Sequence, residues 1–201
     1  MARIKSALEL ALERTEGVVG DKEKIEADGV IKEGKKIASS ILNGPASGEA
    51  QGLREALKGF SGKQLGWIKE GVFQTLLANV VLPIDDTYGP RLQTIEGTLP
   101  ELVADKKKAG LLLQQLGKFF QQYLDNRKTV REQLEQQFAP RLRQREAQLA
   151  QQVGSKVRLN PLQDPEFVAA LQKNYGVLDE RYQEALAGLK DELKRMFEAT
   201  R

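Results

Sequence analysis

Apolar residues recur along the last forty residues of the chain at alternating steps of three and four. The positions are Val168, Leu171, Tyr175, Leu178, Tyr182, Ala185, Leu189 and Met196, with Glu192 the one polar intrusion. This is the a/d pattern of a coiled-coil helix. Asp164-Pro165-Glu166 opens it with a cap residue, a proline at the first helical position and an acid that suits the positive end of the helix dipole. A second stripe runs through Leu102, Leu113, Leu116, Phe120, Tyr123, Val130, Leu134, Phe138, Leu142, Leu149 and Val153. Thr98-Leu-Pro-Glu101 reads as its capping box. Leu134, Phe138 and Leu142 are two successive steps of four, and Pro140 lies among them, so a kink or break is expected near Gln136 to Pro140. The two helices, about 99–153 and 165–199, are joined by a connector at 154–164 that holds Asn160-Pro161 and Asp164-Pro165. The pattern predicts a long antiparallel, coiled-coil-like helical hairpin over residues 99–201.

Residues 1–98 read as a small helical bundle. Ile4, Leu8, Ala11 and Leu12 share one face of a short amphipathic helix that Gly17 and Gly20 are expected to end. Asp21 then caps a second helix to about Leu42, with Ile25, Ile31, Ile37 and Ile41 as its apolar positions and Gly29 and Gly34 as weak points. Asn43-Gly44-Pro45 is a stop. Gly52, Gly59, Gly62 and Gly66 make a run of small residues. Small residues at helical spacing allow close backbone approach, but Ser61 to Gln64 matches a capping box and favours a break between two helices. The helix after it, from Trp67 through Val72, Phe73, Leu76 and Leu77 to Val81, is the most apolar and should centre the core. Pro83 to Pro90 is a loop, and Arg91 to Glu96 a further turn.

Composition agrees with an all-α fold. Of the 201 residues, 40% are hydrophobic and only 6% aromatic, and Leu, Ala, Gln, Glu, Lys and Arg, all good helix formers, dominate. There is no cysteine and no histidine. That removes disulfides, thiol nucleophiles, Cys- or His-based metal sites and every Ser-His or Cys-His catalytic arrangement. No enzyme is expected, and no cofactor. Asp85-Asp86, with Thr87 and Tyr88, could offer oxygens to a hard cation but reads as a solvated turn. No run reaches the ~18 apolar residues of a membrane span, and the acids Glu9 and Glu13 do not suit a signal peptide, so a cytoplasmic protein is expected.

The expected function is a non-enzymatic scaffold or adaptor that binds a protein partner, a second copy of itself included, along the hairpin. Leu178, Tyr182, Leu186 and Leu189 are the partner-binding candidates. Phe167, Leu186 and Phe197, with Phe119 and Leu124 on the facing helix, flank the seam, and two helices alone would leave them uncovered. A homodimer is therefore expected. The alternative rests on the net charge of +3 and on where it concentrates. Arg141, Arg143, Arg145, Lys156 and Arg158 form a basic face able to meet an anionic surface, nucleic acid or lipid.

Overall fold

The computed structural model describes residues 7–44 and 49–200. They form an all-α protein of six helices, with no strand among the described residues. The helices are α1 (Ala7–Asn43), α2 (Glu49–Leu57), α3 (Gly62–Ala78), α4 (Gly89–Thr98), α5 (Lys106–Val153) and α6 (Pro165–Glu198). Short 3-10 turns occupy Asp86–Tyr88, Leu99–Leu102 and Pro161–Gln163. Two compact units result. One comprises residues 1–80, 90–110 and 195–201, the other 81–89 and 111–194. Instead of the single boundary at residue 98 that the sequence predicts, these units are discontinuous in sequence, because α5 and α6 each contribute to both.

In the first unit, α1 and α3 run in the same direction. Glu23 pairs with Lys63 at 2.6 Å, and Gln64 donates to Glu26 at 2.8 Å. Further along, Gly34 of α1 meets Ile68 and Gly71 of α3. The approach is reciprocal: a methyl group on Gly34 would collide with the carbonyl oxygen of Ile68, and one on Gly71 with that of Ile31. Around this contact Ala38, Ile68, Val72 and Leu76 are fully buried. Phe73 stacks on Phe197, with ring centroids 4.2 Å apart. Burial of one such aliphatic or aromatic side chain contributes about 1.5–3 kcal/mol. The α3 helix is thus the centre of its core, as its apolar sequence predicts, although Val81 beyond its end is exposed.

Several local expectations need correction. The first helix does not end at Gly17 and Gly20; α1 is one helix of 37 residues, and Ile4 lies outside the described residues. Glycine weakens a helix by about 1 kcal/mol but, unlike proline, removes no hydrogen bond. Ile25 is exposed rather than apolar-facing. The stop after α1 holds as far as Gly44, whose N–H reaches the Ile41 carbonyl; Pro45 lies outside the described residues. The glycine run does mark a break: Gly62 has φ +54°, and a Cβ on Gly52, Gly59, Gly62 or Gly66 would meet nothing within 4 Å. Ser61 makes no side-chain cap bond there, and Gln64 is spent on α1. The close approach falls to Gly34 and Gly71 instead.

The long helix starts at Lys106 rather than Leu99. Thr98 turns its hydroxyl back to the Thr94 carbonyl at 2.7 Å, and Val103 is extended. Asp105 is the cap, accepting the Lys108 N–H at 2.9 Å. Glu101 serves as an ionic staple within the first unit. It takes two hydrogen bonds from Arg54, at 2.9 and 3.0 Å, and one from Lys106 at 2.8 Å. These bonds, Arg54 foremost, hold its carboxyl down to about 2. Pro140 does not break α5, which continues to Val153.

In the second unit the contacts between α5 and α6 pair residues in antiparallel order. Phe119 meets Tyr182, Phe138 meets Phe167, and Arg145 meets Asp164. Leu134, Phe167 and Leu171 form a buried cluster backed by Val130, Phe138 and Tyr175. The buried positions of α6 are Phe167, Leu171, Tyr182, Leu186, Leu193, Met196 and Phe197. Leu171, Tyr182 and Leu193 recur every eleven residues, a spacing close to that of a straight helix rather than to the heptad read from sequence. Val168, Leu178 and Leu189 are half-buried, and Ala185 is exposed. Phe167, Leu186 and Phe197, expected as uncovered flanks, are 0%, 2% and 5% exposed.

Two outcomes follow from this packing. Gly71→Ala should destabilise the protein by about 1–3 kcal/mol or more, because the obstacle is backbone, whereas Gly66→Ala, in open space, should stabilise it by up to about 1 kcal/mol. Equal urea midpoints for the two variants would contradict the close contact. For Glu101, a carboxyl held at about 2 in the folded chain stabilises fully above its ordinary value near 4.5. That contribution is lost as pH falls from there towards 2. Glu101→Gln should flatten this part of the acid-denaturation profile.

Candidate functional site

The middle of the α5–α6 pair carries a polar and aromatic layer in place of aliphatic packing. Tyr123 donates its hydroxyl proton to Asp179 at 2.6 Å, and Arg127 donates to the same hydroxyl at 3.1 Å. The Arg127 guanidinium lies 4.1 Å from the centre of the Tyr175 ring, within cation–π range. Tyr175 donates to the Arg127 backbone carbonyl at 3.3 Å. Asn126 donates to the Tyr182 hydroxyl at 2.7 Å. Burial, aided by Asp179, pushes the Tyr123 phenol up, so it remains a neutral donor. Among the described residues no buried side-chain N or O atom lacks a partner, which is what a polar layer between two helices requires.

Beside this layer the same unit bears a groove of about 300 Å³. Phe119, Gln122 and Asn126 form one wall and Leu178, Arg181, Tyr182 and Ala185 the other. Of the partner-binding candidates, Leu178 and Tyr182 therefore line a groove. Tyr182, only 9% exposed, offers its edge, since its ring packs 4.9 Å from Phe119 and 5.0 Å from Tyr123. Leu186 is buried and takes no part in the surface; Leu189 is half-buried. Gln122, Asn126 and Arg181 are absent from the apolar pattern, although Phe119, Gln122 and Asn126 already stand at the three-and-four spacing of one helix face.

The basic face divides into two classes. Arg141 forms a two-pronged pair with Glu166, its second bond at 2.8 Å, and Arg145 pairs with Asp164 at 2.9 Å. Asp164 also accepts the N–H groups of Glu166 and Phe167, so it caps α6 as its sequence predicts. Burial opposes its charge, but those N–H groups and the two arginines outweigh it and its pKa is lowered. Arg143, Lys156 and Arg158 are exposed. Glu146 accepts the Leu159 N–H at 2.8 Å. A cavity of about 370 Å³ beside Arg145 and Asp164 is lined largely by Leu142, Leu149 and side-chain amides.

Two further places lie away from the groove and the basic face. In the first unit a cavity of about 370 Å³ is bounded by Gly62, Gly66, Trp67, Leu102 and Phe197. In the segment between α3 and α4, which holds a 3-10 turn at Asp86–Tyr88 rather than a loop through Pro90, Asp85 is occupied by Thr87, whose N–H and hydroxyl donate to it at 3.0 and 2.5 Å. That hydroxyl is the main reason the Asp85 carboxyl sits below its usual range. Among the described residues no helix is long and apolar enough to cross a membrane, and no group of three or more Asp or Glu side chains is placed to hold a metal ion.

No curated protein and no solved structure matches the chain. Residues 54–195, from within α2 almost to the end of α6, match the model of a family of unknown function. That span is well over half of the sequence and contains α5, all but the last three residues of α6 and their groove, and the chain belongs to this family, DUF6657.

Proposed function

We propose that the protein is a non-enzymatic helical scaffold whose α5–α6 hairpin pairs with a second copy of itself. The observation that carries this reading is an exposed aliphatic side chain on the helix that forms one wall of a groove. Val177 is 66% exposed and lies one helical turn from Arg181, which lines the groove of Phe119, Leu178 and Ala185. A two-fold axis near Leu178 would seat the Val177 of each copy in the groove of the other. Such an isologous contact satisfies both patches at once and leaves none to propagate. The small, exposed Ala185 adds a surface that a neighbouring helix can approach closely. The dimer contact is thus expected on the outward side of the pair, with Tyr182 as the floor of the groove rather than as a projecting contact.

Sedimentation equilibrium from about 1 to 100 μM should show a dimer, and Leu178→Glu or Val177→Glu should weaken it by about tenfold or more. Because Val177 is exposed, Val177→Glu should leave the helical circular dichroism unchanged. A strict 22.4 kDa monomer across that range would overturn self-pairing.

A further inference from the structure

The turn from α5 to α6 carries charge and apolar surface that the dimer reading does not use. Arg141 and Arg145 are held by Glu166 and Asp164. Arg143, Lys156 and Arg158 are exposed, and among the described residues no acid forms an ion pair with them. Glu146, the one acid between residues 139 and 163, points a carboxylate oxygen at the Leu159 N–H. In the same stretch of sequence, Val153 is 66% and Leu162 46% exposed. Val153 carries the α5 stripe of Leu142 and Leu149 to the end of the helix, where Gly154, at φ +73°, turns the chain away.

We propose that this turn is a peripheral contact for an anionic lipid bilayer, with Arg143, Lys156 and Arg158 on the headgroups and Val153 and Leu162 in the headgroup–acyl boundary. Exposed aliphatic side chains flanked by cations suit that interface. Nucleic acid suits it less well. Residues 139–166 contain no aromatic side chain on which a base could stack, and two exposed aliphatic groups gain nothing against a phosphate backbone. No described helix can span the bilayer, so the contact is superficial and reversible. Each Lys or Arg near an anionic leaflet strengthens binding by about fivefold, so the three together supply on the order of a hundredfold.

The test is co-sedimentation of the full chain with phosphatidylcholine vesicles, with and without about 30% phosphatidylserine, at about 0.1 M salt. Binding should require the anionic lipid. The triple variant Arg143→Gln, Lys156→Gln, Arg158→Gln should lose it by on the order of a hundredfold, and Val153→Ser with Leu162→Ser should weaken it about tenfold. A charge-matched control, Lys22→Gln, Lys32→Gln, Lys36→Gln, should lose far less. Binding indifferent to phosphatidylserine, an equal loss in the control, no loss in the serine variant, or tighter binding to a DNA duplex at the same salt would each overturn the proposal. Should the triple variant fail to fold, the unmodified chain decides. Vesicle binding unchanged between about 0.05 and 0.5 M salt overturns the proposal, and binding that falls steeply supports it.

Discussion

The first unit depends on two backbones meeting where side chains would not fit. Gly34 and Gly71 each sit against a carbonyl of the other helix. At most helix contacts the side chains set an axis separation of 8–10 Å; here their absence lets α1 and α3 close further. That closeness brings Ala38, Ile68, Val72 and Leu76 to complete burial and fixes the helices' relative height. The height in turn puts Glu23 opposite Lys63 and Glu26 opposite Gln64. These exposed polar pairs add little stability themselves. They follow from a register that the glycines decide. Since α1 lies outside the residues that match the family, a helix beyond that match supplies half of this contact.

How far the fold is legible follows from which signals are local. Helix type, the connector at Gly154 to Asp164 and the cap at Asp164 can all be read from residues within a turn of one another, and the structure keeps them. Capping boxes are less dependable. Thr98 and Glu101 fit the motif, but Glu101 finds Arg54, 47 residues away in sequence, and a doubly bonded ion pair outweighs a cap. Gln64 is drawn off in the same way by Glu26. Glycine is ambiguous for another reason. Its sequence spacing is the same whether it faces a helix or open solvent, so the run from Gly52 to Gly66 carries the visible pattern while Gly34 and Gly71 make the contact.

The groove was only partly legible because it depends on how α6 is rotated. A heptad places Ala185 and Leu189 inside; the observed stripe turns inward Leu186 and Leu193 instead. The difference is a fraction of a turn, too small for periodicity over a few repeats to resolve when apolar residues stand on both sides of the seam. What fixes the rotation is the layer of Tyr123, Asp179, Arg127 and Tyr175, whose hydrogen bonds work in one orientation only. An apolar seam tolerates slippage by a turn; a directional polar layer does not. The same layer explains why the basic face is thinner than its sequence implies. Once α6 is held in this rotation and height, Glu166 and Asp164 arrive beside Arg141 and Arg145.

The chain's fluorophores are sorted by unit. The single tryptophan, Trp67, half-buried at the edge of a cavity, belongs to the first unit, whereas Tyr88, Tyr123, Tyr175 and Tyr182 all fall within the second. Tryptophan emission therefore reports on the α1–α3 core, and tyrosine absorbance reports on the polar layer and the Tyr88–Phe120 contact. If the two units lose structure at different denaturant concentrations, the two signals separate without any label. If α5 and α6, which serve both, make the chain melt as one, they coincide. The placement of five aromatic rings thus turns the cooperativity of the whole molecule into something that ultraviolet light alone can read.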